Sequence, residues 1–413
     1  MSGTGSGTRS RTVVVLLLAW CVLAVGLAPG AAGATGRAAE VWQELAPGVA
    51  YRALDMTAAH GPVRVHLLAV DLRADGVDVD LLHPGVVAAR APLSGLADAR
   101  GALAAVNGDF FHVSETQHPG VEATGAPVGP AVAGGRELKA AVPRGQRFGP
   151  ALPPGTGTLE VFGVGMDHRA RTGRLVLDGS VTGRAGSFPL GGLNQYALPV
   201  GSVGVFTAAW GGASRARAVC GTDTDRAAPC TTEAYEVTVR RGRVVAVADA
   251  PGRGPVAADT EVLVGREEGA RRLRGLAVGD RVRVRHRLVA EGSSVPYRFA
   301  VGGCPLVRDG APLPGLDGVT PAVRTAVGIT HGGRGLLLMA LDGSPGLRVG
   351  MTVAEVAALL REQGAREAFG LDGGGSSTLV GRAAGEGSVT VRNHPSGGAE
   401  RPVPNGIGVL VRR

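Results

Sequence analysis

The chain has 413 residues, of which 44% are hydrophobic and 19% charged, and a formal net charge of +8. Such a length allows more than one domain and a sizeable core, and the composition excludes a disordered or fibrous chain. The 68 glycines and 26 prolines predict frequent turns, and with them a strand-rich α+β fold: a mixed sheet core, few helices and a small all-β insert. The sole lysine is Lys139, so an anion site here would be built from planar, bidentate guanidinium groups.

Residues 1–34 read as a signal peptide. Arg9 and Arg11 give a basic start, Val13 to Leu27 an uncharged apolar stretch short for a membrane span, and Ala32 to Ala34 a small-x-small cleavage site. Cleavage after Ala34 removes two arginines and no acid, taking +8 to +6. A retained anchor is the competing reading. No second apolar run approaches membrane length, so the expectation is a secreted, extracellular chain that is off the membrane after cleavage, with the cell wall as one location.

Residues 35–95 form an expected N-terminal β region. "VRVHLLAVDL" and "VDVDLLHP" alternate apolar with polar residues, as half-buried strands do. The main domain is expected over 96–413. In it "RGALAAVNGDFF" (Arg100 to Phe111) is an apolar strand running into Asn107-Gly108, a turn signal. Cys220 and Cys230 bracket a polar, turn-rich loop, and an oxidising compartment makes them a disulfide pair. Cys304 is left over and is expected to be buried and unreactive.

The β insert spans about 232–300. "AYEVTVRRGRVVAVAD" is a hairpin through Arg241-Gly242, and "RVRVRHRL" puts Arg281, Arg283, Arg285 and Arg287 on one face. That face reads as a solvated sheet surface. No aromatic residue interleaves with its arginines to stack bases, so nucleic acid is not an expected partner. Further on, "GMTVAEVAALLREQGARE" is a helix: Thr352 and Glu355 make a capping box, Val356, Leu359 and Leu360 an apolar stripe, and Gly364 a stop. "AFGL" follows as a buried strand, and Asp372 stands at its end in "FGLDGGGSSTLV".

Several chemistries are excluded. A Walker A loop lacks its lysine, and no H-E-x-x-H, EF-hand loop, C-x-x-C pair or G-x-S-x-G elbow occurs. What remains is a set of polar residues punctuating apolar strand ends: Asn107, Asp109, Arg324, Asp342, Asp372, Asn393, Ser396 and Arg401. Any one of them suits an ordinary turn. Their repetition predicts a site assembled from loops along one sheet edge.

This set resembles the phosphodiester glycosidase family. The matching pieces are "AVNGDFF", "GGCPLVRDG", "RTAVGIT", "LLMALDG", the stretch from "GMTVAEV" to "GGGSSTLV", and "VRNHPSGGAERPVPNGIGVLV". The usual family pattern has Asn where Gly370 stands, Arg where Ser344 stands and Gly where Cys304 stands. The resemblance implies hydrolysis of a sugar-1-phosphate diester at the anomeric centre, for example one carrying N-acetylglucosamine, releasing sugar and phosphomonoester. A phosphate monoester leaves readily. The reaction therefore needs a carboxylate as nucleophile or base and cations on the departing phosphate more than it needs an acid.

On this reading Asp372, Asp342 and Arg324 are the catalytic candidates, with Arg401 beside Arg324 on the phosphate side. Asn107, Asp109, Ser376, Ser377, Asn393 and Ser396 would orient substrate oxygens, and the N–H groups of Gly373, Gly374 and Gly375 would form an anion nest. This chemistry requires no metal, although Asp342 and Asp372 sharing a divalent cation such as calcium is an open alternative. The expected partner is an anionic sugar-phosphate glycan or a small sugar phosphodiester; capsular or exopolysaccharide phosphodiesters are candidates. Two rivals stand beside this: a non-catalytic module binding anionic cell-wall or capsular glycans, and a secreted serine hydrolase using Ser376.

Overall fold

The computed structural model describes residues 41–184 and 186–412. The leader expected over 1–34 lies outside them, as does the start of the 35–95 region. Among the described residues, no helix is long and apolar enough to cross a membrane. Four sheets dominate, with few helices.

The largest sheet has eight strands in the order Gln43–Ala46, Val49–Ala58, Gly61–Asp71, Gly335–Leu341, Thr325–Thr330, Glu367–Leu371, Cys304–Arg308, Ala311–Pro312. All its pairings are antiparallel. The N-terminal strands therefore share a sheet with residues from the distant second half of the chain, and residues 40–413 form one compact unit. "GLLLMAL" is buried at all seven positions, because both faces of this sheet are covered. One face packs on a second sheet that includes Ala104–Asn107, Gly406–Val411 and Val77–Leu82, through Leu68, Leu338, Val327, Val106 and Ile407. The other face packs on the Val353–Glu362 helix through Leu306, Ala326, Met339, Val356 and Leu360.

That helix starts as its sequence requires. The Thr352 side chain accepts from Glu355 N–H, and the Glu355 carboxylate accepts from Thr352 N–H, a reciprocal cap of about 1 kcal/mol. The hairpin through Arg241-Gly242 also forms. Both residues have positive φ, 48° and 73°, which matches the twist of the strands it joins. The insert is more dispersed than its sequence suggests. Ala234–Arg240, Arg243–Ala248 and Thr260–Arg266 share a sheet with the earlier strand Val203–Phe206, which pairs with Thr260–Arg266, whereas Arg283–Ala290 and Tyr297–Gly302 leave to join a third sheet.

Asn107-Gly108 is not a hairpin turn. Ala104–Asn107 continues extended, and Gly108 N–H donates to Asn405 O at 3.0 Å. The glycine is required by close approach: a Cβ there would lie 2.2 Å from Asn405 Oδ1.

Candidate active site

Antiparallel pairing decides which loop ends meet. Thr325 pairs with Leu371 on one side and Ala340 on the other, so Arg324, Asp342 and Asp372 all emerge at one edge of the large sheet. Asn107 arrives from the second sheet and stitches this edge. Its Oδ1 accepts from Thr325 Oγ1 (2.8 Å) and Thr378 N–H (3.0 Å), and its Nδ2 donates to Asp372 O (2.7 Å). Asn393 does the same nearby: Oδ1 accepts from Leu379 N–H, and Nδ2 donates to Leu341 O and Ser377 O. Both amides are buried and their bonds are spent on protein. They hold the loops through these bonds, with one N–H of Asn107 Nδ2 left over. Ser377 is buried likewise, 3.0 Å from the Thr325 hydroxyl.

The glycine run is a 3-10 turn over Gly374–Ser376. The expected three-donor anion nest is not built. Gly373 N–H donates to Asp372 Oδ1 (3.0 Å) and Gly374 N–H to Val323 O (2.7 Å). The glycines serve close packing instead. A Cβ on Gly373 would stand 2.6 Å from Val323 O, and one on Gly375 would stand 2.4 Å from the Arg401 guanidinium.

Asp372 has its backbone N–H on Gly108 O. Burial raises its carboxyl to about 6, against the opposing pull of the Ser376 hydroxyl, the Arg401 charge and Gly373 N–H. Arg401 reaches Ser376 Oγ from the other side at 3.3 Å and is itself exposed. Asp372, Ser376 and Arg401 thus form a line from a half-buried carboxylate to an exposed cation.

The second carboxylate of this site is Asp109. It is 2% exposed; its Oδ2 accepts from Gly129 N–H (2.6 Å), and its Oδ1 is buried with no hydrogen-bond partner. Burial pushes its carboxyl up and the Asp372 charge adds to this, with Lys139 and Arg147 opposing. Lys139 is fully buried, donates to Val128 O, Gly129 O and Ala140 O, and is held down by burial. Gly129 and Gly302 make room for Asp109, since a Cβ on Gly302 would lie 2.5 Å from its Oδ2.

Asp342 belongs to a different cluster. Oδ2 meets His66 Nε2 (3.3 Å), His394 Nδ1 (2.9 Å) and His394 N–H (3.2 Å), and Oδ1 accepts from Ser344 N–H (2.9 Å). Burial opposes its charge, but these donors outweigh burial and hold the carboxyl far below its usual range. Its hydrogen-bond partners are separate from those of Asp372, whereas the Asp372 charge acts on the Asp109 carboxyl. Ser396 lies half-buried in the turn that Asp342 latches, its backbone N 2.5 Å from where a Gly343 Cβ would be. Arg324 turns aside: Nε donates to Met351 O and Nη2 to Thr320 O.

Among the described residues no histidine bonds Ser376. Its hydroxyl bonds Asp372 and Arg401, while His66 and His394 serve Asp342, and His112 and His118 serve Glu115. The serine-hydrolase reading therefore lacks its base. Cys220 and Cys230 are joined as a disulfide. They converge with His118, but sulfurs bonded to each other are not thiolate ligands. Cys304 is buried, and burial raises its thiol to about 11.

Thr325, Lys139, Arg147 and Asn405 also belong to this region and are not among the site residues expected from the sequence. Asn405 lies in a quoted motif, and Lys139 is the sole lysine, so both carried a signal. Thr325 and Arg147 carried none, because their roles arise from strand pairing and loop packing.

Residues 233–410 match the phosphodiester glycosidase family. No curated protein matches the chain. Among solved structures, a hypothetical protein from Synechocystis aligns at TM-score 0.66 and 21% identity, covering 88% of this chain and 62% of that one. The chain thus spans less than two thirds of that relative's length. An exported protein from Burkholderia pseudomallei aligns at TM-score 0.64 and 25% identity, covering 84% of this chain and 74% of that one. The catalytic domain of zebrafish N-acetylglucosamine-1-phosphodiester alpha-N-acetylglucosaminidase, auto-inhibited by its pro-peptide, aligns at TM-score 0.43 and 17% identity, covering 90% and 85%.

Proposed function

We propose that this chain, through the domain at 233–410 and the strands that complete its site, hydrolyses the glycosidic bond of a sugar-1-phosphate diester. The observation that carries the reading is the line Asp372–Ser376–Arg401 beside the buried, half-partnered Asp109. Above about pH 6 Asp372 is ionised and acts on the anomeric carbon, as nucleophile or by activating water. Arg401 holds the departing phosphate oxygens by charge-assisted hydrogen bonds. Asp109, whose carboxyl is pushed up by burial and by the Asp372 charge, is the group that can share a proton with the sugar or the leaving oxygen. Water adds to the anomeric carbon, the sugar–oxygen bond breaks, and the proton passes to the phosphomonoester.

The substrate is an N-acetylglucosamine-1-phosphate diester or a related glycan phosphodiester, met outside the cell after removal of the leader. No metal is invoked. Loss of activity with chelator and its return with calcium would add one to the scheme.

The test is incubation of the chain lacking residues 1–34 with an alkyl diester of α-N-acetylglucosamine-1-phosphate in heavy-oxygen water. Free sugar carrying the label, with unlabelled alkyl phosphate, is the expected outcome. Label in the phosphate would place cleavage at phosphorus and overturn the assignment. Binding of the diester without product would leave the glycan-binding module as the better account.

A further inference from the structure

Arg283–Ala290 runs antiparallel along Ala170–Gly183. Arg281, Arg283, Arg285 and Arg287 are exposed, whereas Val282 is buried and Val284 and His286 are half-buried. Period-two alternation thus sends a guanidinium to solvent every second residue, about 7 Å apart. The cross-strand neighbours of the last three are Thr182, Ser180 and Asp178. Beyond Thr182 lies exposed Ser187, its hydroxyl 3.0 Å from that of Thr182.

Acids meet arginines elsewhere on this surface. Arg240 and Arg241 share Asp259, Arg271 and Arg272 share Glu268, and Arg287 has Asp178 at 2.7 Å. Arg281, Arg283 and Arg285 have no carboxylate partner among the described residues. Arg287 apart, the like charges of this face repel one another with no acid paired to them among the described residues.

We propose that this face is a docking track for a linear glycosyl-phosphate polymer, with successive guanidiniums taking successive phosphodiesters. The inference rests on the sugar-phosphodiester reading above and gives the polymeric form of that substrate a second hold. Arginine meets a phosphate bidentately, and the flanking Thr182, Ser180 and Ser187 hydroxyls supply neutral donors of the kind a sugar-phosphate chain uses. Nucleic acid is disfavoured because no ring lies among the arginines to stack a base. Phe188 pairs with Val181, on the opposite face from Thr182. The sheet that carries the track reaches the site: Ala170–Gly183 pairs with Glu160–Gly165, which pairs with Tyr297–Gly302, and Gly302 packs on Asp109.

The test measures two quantities on the chain lacking residues 1–34: equilibrium binding of a fluorescent linear glycosyl-phosphate polymer across a salt series, and turnover of a small diester. In the double variant Arg283→Glu/Arg285→Glu, polymer affinity should fall by about tenfold or more, and its salt slope should become shallower by about one to two. Turnover of the small diester should not change. Arg283→Ser/Arg285→Ser should show a smaller loss in the same direction with the parent's thermal stability. Unchanged polymer affinity and salt slope in both variants overturns the proposal, as does tighter binding of duplex DNA than of polymer by the parent. If the parent does not turn over the small diester but binds polymer through these arginines, the hydrolase reading falls and the track stands.

Discussion

Cys304 and Gly370 are register partners across the Cys304–Arg308 and Glu367–Leu371 strands, and a Cβ added at Gly370 would lie 2.9 Å from the Cys304 sulfur. These are two of the three positions at which the chain departs from the pattern it resembles, Asn at 370 and Gly at 304. The departures offset each other: a side chain lost on one strand is replaced by one on its neighbour, on the same face.

Gly370→Asn alone should therefore overpack this spot and destabilise by about 1–3 kcal/mol. Adding Cys304→Gly should return most of that. Denaturant unfolding of the two single variants and the double variant gives the coupling, expected at about 1 kcal/mol or more in favour of the pair. Additive effects would show that the two substitutions are independent.

Asp372→Asn should lower turnover of a sugar-1-phosphate diester by roughly three orders of magnitude and raise stability at neutral pH. The folded carboxyl is raised to about 6 from an ordinary 3.8. Its contribution is thus fully present below the unfolded value and is lost as pH rises through about 6. Removing the charge should return on the order of 2 kcal/mol at pH 8 and nothing at pH 3. Thermal melts at the two pH values check the sign, and a variant less stable at pH 8 would contradict it.

Arg401→Ala should weaken kcat/KM by roughly ten- to hundredfold, the worth of one charge-assisted bond. It should also move the acid limb of the pH–rate profile upward, because the Arg401 charge holds the Asp372 carboxyl down. Arg401→Lys should restore part of the limb's position. A variant with lower rate and an unmoved limb would mean that Arg401 does not act on Asp372.

Asp342→Asn should behave as a structural lesion. Its carboxylate gathers His66, His394 and Ser344 N–H, and breaking such a buried cluster costs about 3 kcal/mol. The folded carboxyl is held low, so this stability is present above the unfolded value of about 4 and is lost as pH falls. The parent and the variant should therefore converge in melting temperature toward acid pH. Turnover at low temperature should fall far less than for Asp372→Asn. A loss as large as that of Asp372 would return Asp342 to the chemistry.

The capped helix, the buried strand before Asp372, the Arg241-Gly242 hairpin and the disulfide were legible in the sequence. Each rests on local rules of capping, periodicity, turn chemistry or compartment, read over a few residues. The same rules placed the polar residues at strand ends. They could not say which ends meet. Antiparallel pairing brought Arg324, Asp342 and Asp372 to one edge, and packing then gave each its own partners. Asp342 gathered His66 and His394, both asparagines and two glycine N–H groups bonded the scaffold, and the Asp372 charge came to act on Asp109. A carboxylate's role follows from its desolvation and from the donors around it, and those belong to residues hundreds of positions away.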